Sequence, residues 1–277
     1  MRMRTIAALL AAGALAFMLT GCGGAQAPKA PAAPDGADVR HSGAEPAELV
    51  VSAAASMSDS LRELQKRFEA GHPGIKLRFN FGASGALQQQ IEQGAPADLF
   101  VSAAAKNMQA LVARGLVESK LQTTLLYNEL VLVVPKTGNA PNLKLADLAK
   151  ADVKRIALGE PESVPAGSYA KEALTNAKLW DSLQPKLLFA KDVRQVLTYV
   201  ESGNADAGFV YKTDALTSKQ AAVAEPVDAK LYKPIEIQVG IVKATKHGEE
   251  AQALYDYLQT KEAADLFSGF GFTPAKR

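Results

Sequence analysis

The chain is short of cysteine and histidine, the residues on which many metal sites and nucleophilic catalysts depend. Its 277 residues include one cysteine, Cys22, and three histidines. His41, His72 and His247 lie far apart and show no metal-ligand spacing, so we interpret each as solvated surface. A single cysteine excludes an internal disulfide and a cysteine metal cluster.

An excess of positive charge is also missing. The chain has 31 Lys and Arg residues against 29 Asp and Glu residues, and no long basic run. Proteins that bind nucleic acid concentrate Lys and Arg well beyond their carboxylates. We therefore predict no nucleic-acid partner.

Motifs of the common enzyme classes are absent from the sequence. There is no G-x-S-x-G elbow, no P-loop, no H-E-x-x-H and no complete G-x-G-x-x-G after a strand. A Ser-His-Asp mechanism needs a histidine, and none of the three lies at the end of a predicted strand. We predict no catalytic residue, no enzymatic activity and no cofactor.

The first residues have the layout of an export signal. A charged tip, an apolar stretch of about fifteen residues and small residues follow one another in MRMRTIAALLAAGALAFMLTGCGG. The closing Leu19-Thr20-Gly21-Cys22 resembles a bacterial lipobox, in which the cysteine is acylated and becomes the mature N-terminus. We predict a signal peptide over 1–21, then the lipidated Cys22 with a flexible Pro/Ala linker over 22–46. A plain signal peptide with a chance cysteine is the alternative.

From Glu48 onward, short apolar strands alternate with amphipathic helical patterns, which predicts an α/β fold with mostly parallel sheets. Continuous apolar runs predict strands buried on both faces, as in Leu99-Phe100-Val101 and Leu130 to Val134. KLRFNF alternates instead, so Leu77, Phe79 and Phe81 should face one side. With 48% hydrophobic residues, the chain can bury a sizeable core.

One strand ends in unusually small residues. In VVSAAASMSDSL, residues 50–61, three alanines precede Ser56, which is placed as a helix N-cap with Asp59 three residues later. A helix start offers unpaired backbone N–H groups and the positive end of the helix dipole, and both favour an anion. Small side chains would let the anion approach the backbone.

The same arrangement occurs at three more strand-to-helix junctions. Gly82-Ala83-Ser84-Gly85 precedes a helix, Pro165 suits a first helical turn ahead of Ala166-Gly167, and Asp192 is a predicted cap that leaves the Val193 N–H free. Two interpretations remain at this point. The four junctions form one anion site at the carboxyl ends of strands, or they are four independent helix caps.

Several motifs resemble those of periplasmic molybdate-binding proteins, the substrate-binding components of molybdate ABC importers. They are AAAS at 53–56, GAPADLFVSA at 94–103, PESVPAGSYAKEAL at 161–174, DVRQVL at 192–197, GFVY at 208–211, and YDYL with AADLFSGFGF within 255–272. The resemblance extends from Glu48 to Pro274. One departure is GASGAL at 82–87, which has fewer hydroxyls than the serine-rich loop common in the family.

The resemblance implies the two-lobed type II periplasmic binding protein fold, in which each lobe is a mostly parallel sheet flanked by helices. We place lobe 1 at 47–127 plus 240–277 and lobe 2 at 128–239, with chain crossings near Tyr127 to Leu130 and Glu236 to Gly240. The ligand would lie in the cleft between the lobes. Lobe closure over the anion is what the membrane permease would recognise.

The resemblance also implies the ligand and its contacts. The family's oxyanion ligands fall on the hydroxyls and N–H groups of Ser56 and Ser84, the N–H groups of Ala166 and Val193, and the Tyr211 hydroxyl. These groups would contact the oxygens of molybdate or tungstate and not the metal itself. The partners implied are ABC permease subunits and, through a lipid anchor on Cys22, a membrane at the periplasmic or cell-surface face. We predict a monomer.

Two alternatives stay open. The chain binds another oxyanion, such as sulfate or thiosulfate, or it is an enzyme on the same fold, as porphobilinogen deaminase is. That enzyme holds its cofactor through a cysteine, and the cysteine here lies in the lipobox. Tyr211 has its own alternative interpretation, as a tyrosine at the wet end of an apolar strand.

Overall fold

The computed structural model of the protein describes residues 46–137 and 142–276. The predicted signal peptide, Cys22 and the linker up to residue 45 lie outside these ranges. Within the described residues no helix has the length and apolar character needed to cross a bilayer.

The strands are β1 Ala47–Ala54, β2 Ile75–Gly82, β3 Leu99–Ser102, β4 Val117–Asn128, β5 Leu130–Pro135, β6 Ile156–Gly159, β7 Leu187–Ala190, β8 Ala207–Tyr211, β9 Ala221–Pro226, β10 Ile235–Val242 and β11 Thr273–Pro274. The helices are α1 Ser58–Gly71, α2 Ser84–Glu92, α3 Ala105–Ala113, α4 Pro165–Asn176, α5 Trp180–Leu183, α6 Val193–Glu201, α7 Lys212–Thr217, α8 Gly248–Tyr257 and α9 Lys261–Gly269.

The strands form two sheets, and we name the elements that pack on each sheet the first and the second lobe. The first sheet has the order β11-β4-β10-β3-β1-β2 and the second the order β7-β6-β8-β5-β9. This two-lobed α/β architecture is the predicted one. Both sheets are mixed rather than mostly parallel, because β10 runs antiparallel to β3 and β4, and β5 runs antiparallel to β8 and β9.

The chain passes between the sheets at two places. β4 ends at Asn128 in the first sheet and β5 begins at Leu130 in the second, so the first passage is at Glu129. The return lies between the end of β9 and the start of β10. Since all of β10 from Ile235 belongs to the first sheet, the strands put the return upstream of the predicted range 236–240. The division of the chain into lobes as independent domains stays a prediction.

The apolar strand runs are explained by helices on both faces of the first sheet. In β3, Leu99 and Val101 belong to the core that includes Leu61, Leu64 and Phe68 of α1. Phe100 points the other way, into a second cluster with residues of α2 and α3. Successive side chains of a strand alternate between faces, so a strand covered on both sides needs apolar residues at every position. Strand β2 alternates as predicted, with Lys76 and Arg78 exposed between buried or half-buried neighbours.

Candidate oxyanion site between the lobes

The five predicted oxyanion positions lie on one small cavity between the lobes. About 210 Å³ of space at this cavity is free of protein atoms, and part of that space is open to solvent. Its lining includes Ser56 and Ser84 from the first lobe and Ala166, Val193 and Tyr211 from the second. Small residues and Asp192 complete the wall. Groups that the sequence separates by up to 155 positions therefore face a common space.

Three of the cavity residues begin helices or lie next to a helix start, as the sequence predicted. Ser84 is the first residue of α2 and Val193 the first of α6, while Ala166 follows Pro165 at the start of α4. Asp192 caps α6, because its side chain accepts a hydrogen bond from the Gln195 N–H at 2.8 Å. First-turn N–H groups have no acceptor inside their own helix, so these starts offer donors to a ligand.

The predicted capping role of Ser56 is wrong. A short 3₁₀ turn, Ala55–Met57, lies between β1 and α1, and the N-cap position of α1 is Met57. Neither helix start has a side-chain cap. The Ser56 hydroxyl is buried and finds no hydrogen-bond partner among the described residues. The extra turn moves Ser56 out of the cap and leaves its hydroxyl for the cavity.

Tyr211 presents a second buried hydroxyl without a partner. It ends β8, its side chain is 1% exposed, and its hydroxyl has no hydrogen bond to any described residue. Burial raises the pKa of the Tyr211 phenol well above its ordinary value, so the group stays protonated and can donate at neutral pH. An unpaired buried hydroxyl costs free energy unless a ligand pairs with it.

Ser84 is held by a contact that the sequence did not indicate. Its hydroxyl oxygen accepts a hydrogen bond from the Ala103 N–H at 3.0 Å, and the residue is fully buried. A hydroxyl has one proton to donate and can accept as well. Since the contact with Ala103 uses the oxygen as an acceptor, the Ser84 proton remains available to the cavity.

The two lobes contact each other directly at two further places. The Gly85 N–H in α2 donates to the Ser163 carbonyl of the second lobe at 3.0 Å, and the Lys106 ammonium donates to the Ser168 hydroxyl at 3.0 Å. A Cβ at position 85 would lie 2.6 Å from the Ser163 oxygen, so this close approach depends on glycine. No group of His, Cys, Asp and Glu side chains within the described residues could hold a metal ion.

A two-lobed α/β fold with a cavity between two sheets is typical of solute-binding proteins. Residues 49–273 match the sequence profile of the family described as bacterial extracellular solute-binding protein. The chain therefore belongs to this family.

Individual relatives are similar over most of their length. YvgL of Bacillus subtilis (strain 168) carries the provisional name of an ABC transporter substrate-binding lipoprotein. It is 52% identical over 225 residues, which cover 81% of this chain and 86% of YvgL. The molybdate-binding protein ModA of Escherichia coli (strain K12) is 37% identical over 83% of this chain and 90% of the relative. Among solved structures, the periplasmic molybdate-binding protein of Azotobacter vinelandii superposes with a TM-score of 0.74 at 27% identity, covering 82% of this chain and all of that one.

Proposed function

We propose that the protein captures molybdate, and tungstate as well, and delivers it to an ABC permease for import. The observation that carries the proposal is the inter-lobe cavity, where the buried hydroxyls of Ser56 and Tyr211 have no hydrogen-bond partner among the described residues and the Ser84 hydroxyl accepts from the Ala103 N–H. Each can donate to an oxyanion oxygen. The molybdate-binding proteins among the relatives support the choice of ligand. Binding without catalysis is part of the proposal, since the cavity holds donors and no nucleophile paired with a base.

The five proposed contacts are neutral, and this should set the selectivity. A fully deprotonated tetrahedral dianion needs only donors, whereas hydrogen phosphate carries an O–H that requires an acceptor. The carboxylate of Asp192 also lies on the cavity wall, where its Oδ1 accepts from the Gln195 N–H as the cap of α6, and it is not one of the five proposed contacts. A buried donor left unpaired costs about 1 to 3 kcal/mol, which corresponds to roughly a five- to 150-fold bias.

Calorimetry near pH 7 tests this selectivity. We expect molybdate and tungstate to bind tightly, sulfate weakly and phosphate most weakly, because sulfate is too small to reach all donors and phosphate mismatches them. A thermal-shift panel of the same anions gives an independent ranking, since a ligand at a hundredfold excess over its Kd adds about 2.7 kcal/mol of stability. Sulfate or phosphate binding as tightly as molybdate would refute the proposal and favour the alternative of another oxyanion.

We also propose that Cys22 carries a lipid anchor and that the protein works as a monomer at the outer face of a membrane. The lipobox Leu19-Thr20-Gly21-Cys22 and the name of the lipoprotein YvgL support the anchor. Two or more acyl chains give stable membrane attachment. Mass spectrometry of the membrane fraction should find an acylated Cys22, and Cys22→Ser should release soluble or unprocessed protein. A wild-type protein that is wholly soluble and carries no lipid would contradict the anchor.

A further inference from the structure

Arg194 of the second lobe reaches a carboxylate of the first. It is the second residue of α6, next to Val193, and its Nη2 forms an ion pair with Oδ2 of Asp59 in α1. The same nitrogen donates to the Ser58 hydroxyl at 3.4 Å. We name these three residues, Arg194, Ser58 and Asp59, the interlobe clasp. None of them lines the cavity.

The other terminal nitrogen of the Arg194 guanidinium, Nη1, contacts residues of its own lobe. It donates to the Thr217 hydroxyl at 2.8 Å and lies 3.5 Å from Oδ1 of Asp214 in α7. Asp214 is fully buried, and burial raises the pKa of its carboxyl to about 7 against the opposing effect of the Arg194 charge. The guanidinium is thus held in place before it contacts Asp59, which lowers the entropy that the cross-lobe contact must overcome.

The clasp differs from the other ion pairs of the described residues. Pairs such as Lys66–Glu63, Arg78–Glu48 and Lys144–Glu225 each lie within one lobe. Among the ion pairs within residues 46–137 and 142–276, only Arg194–Asp59 joins a helix packed on the first sheet to a helix packed on the second. Only this ion pair must therefore break when the two helices separate.

The clasp joins two of the helix starts that lie next to cavity residues, those of α1 and α6. Asp59 follows Ser56 by three positions, and Arg194 follows Val193 directly. Holding α1 against α6 therefore keeps Ser56 and Val193 on the same cavity. These two donors belong to different lobes, so the distance between them would increase in an open form.

We propose that Arg194 and Asp59 are positioning residues for oxyanion binding: they hold the closed form and set the rate at which the bound anion escapes, without touching it. The proposal rests on the proposed function, because it concerns closure over the same cavity. An interaction made only in the closed form shifts the equilibrium toward closure, and its loss raises the dissociation rate.

The test uses Asp59→Ala, because an Arg194 variant leaves the buried Asp214 carboxylate without its cation and risks unfolding. Removing a negative charge near the cleft also speeds anion entry, so the dissociation rate is the informative quantity, and Kd alone is not. We expect stopped-flow competition to show molybdate leaving Asp59→Ala about three- to tenfold faster than wild type. The matched control is Glu63→Ala, which removes another carboxylate of α1 whose ion pair with Lys66 stays within the helix.

A double-variant cycle completes the experiment. Arg194→Lys keeps the charge but loses one arm of the fork, so it should also speed dissociation, and Asp59→Ala with Arg194→Lys should be no faster than Asp59→Ala. Equal dissociation rates in Asp59→Ala, Glu63→Ala and wild type would overturn the clasp while leaving the proposed function intact. If wild type binds another oxyanion and not molybdate, the proposed function fails and the same rates are measured with that anion. If no oxyanion binds, both are rejected.

Discussion

Gly167→Ala is expected to lower the free energy of unfolding by about 1 to 3 kcal/mol and to weaken molybdate binding at least tenfold. A Cβ at position 167 would lie 1.8 Å from the carbonyl oxygen of Gly159, where α4 packs against the end of β6. Neither atom is the end of a flexible side chain, so α4 must move away from the sheet. Ala166, which adjoins Gly167 and lines the cavity, would move with it, and so would its proposed N–H donor.

The sign of the stability change makes this a clean test. In a helix, alanine is normally more stable than glycine by about 1 kcal/mol, so a loss of stability must come from the clash. Gly248→Ala is the control, because Gly248 begins α8 and nothing lies within 4 Å of its added Cβ. Chemical denaturation and calorimetry on both variants decide the question. Equal stability of the two variants, with unchanged affinity, would show that α4 does not need its close approach to β6.

Ser84→Ala, Ser56→Ala and Tyr211→Phe are each expected to weaken molybdate binding by about 1.5 to 3 kcal/mol, or roughly ten- to 150-fold. Each variant removes one hydroxyl that can donate to the charged ligand. Their effects on the ligand-free protein should differ in direction. Ser84→Ala leaves the buried Ala103 N–H without its acceptor and should lower stability by about 1 to 3 kcal/mol.

Ser56→Ala and Tyr211→Phe should leave the stability of the ligand-free protein unchanged or raise it, since both hydroxyls are buried without a partner among the described residues. Tyr255→Phe on α8, away from the cavity, controls for the loss of a phenol hydroxyl. Isothermal calorimetry and denaturant unfolding give the two quantities for each variant. Wild-type affinity in all three variants would place the anion elsewhere.

The sequence predicted much of this site because the relevant groups are local. A cap such as Asp192 or a first-turn proline such as Pro165 acts within a few residues of its position, so both could be recognised from the pattern and both are confirmed. Tyr211 came from the family resemblance alone, because a tyrosine ending an apolar strand has no local signal for a ligand. Ser56 lines the cavity, but its predicted local role as a helix cap was wrong, since a 3₁₀ turn of Ala55–Met57 has no distinct sequence pattern.

The contacts between lobes could not be predicted from the sequence. Arg194 and Asp59 lie 135 positions apart, and each looks like an ordinary charge in the first turn of a helix. Their pairing depends on how the two lobes meet, which no helical or strand periodicity encodes. The mixed sheets escaped prediction for a similar reason: β5 and β10 lie next to the passages between lobes, and apolar runs do not reveal strand direction.

Two of the five proposed ligand residues, Ala166 and Val193, would contribute only a main-chain N–H group, and this limits what ordinary mutagenesis can detect. Position 166 already holds alanine, and a Val193→Ala variant would keep the same amide proton in the same place. An alanine scan of the cavity would therefore report only the three hydroxyls and miss the rest of the recognition surface. Replacing either peptide bond by an ester would remove the amide proton and keep the side chain. Natural substitutions at positions 166 and 193 would leave anion recognition intact as long as α4 and α6 begin where they do.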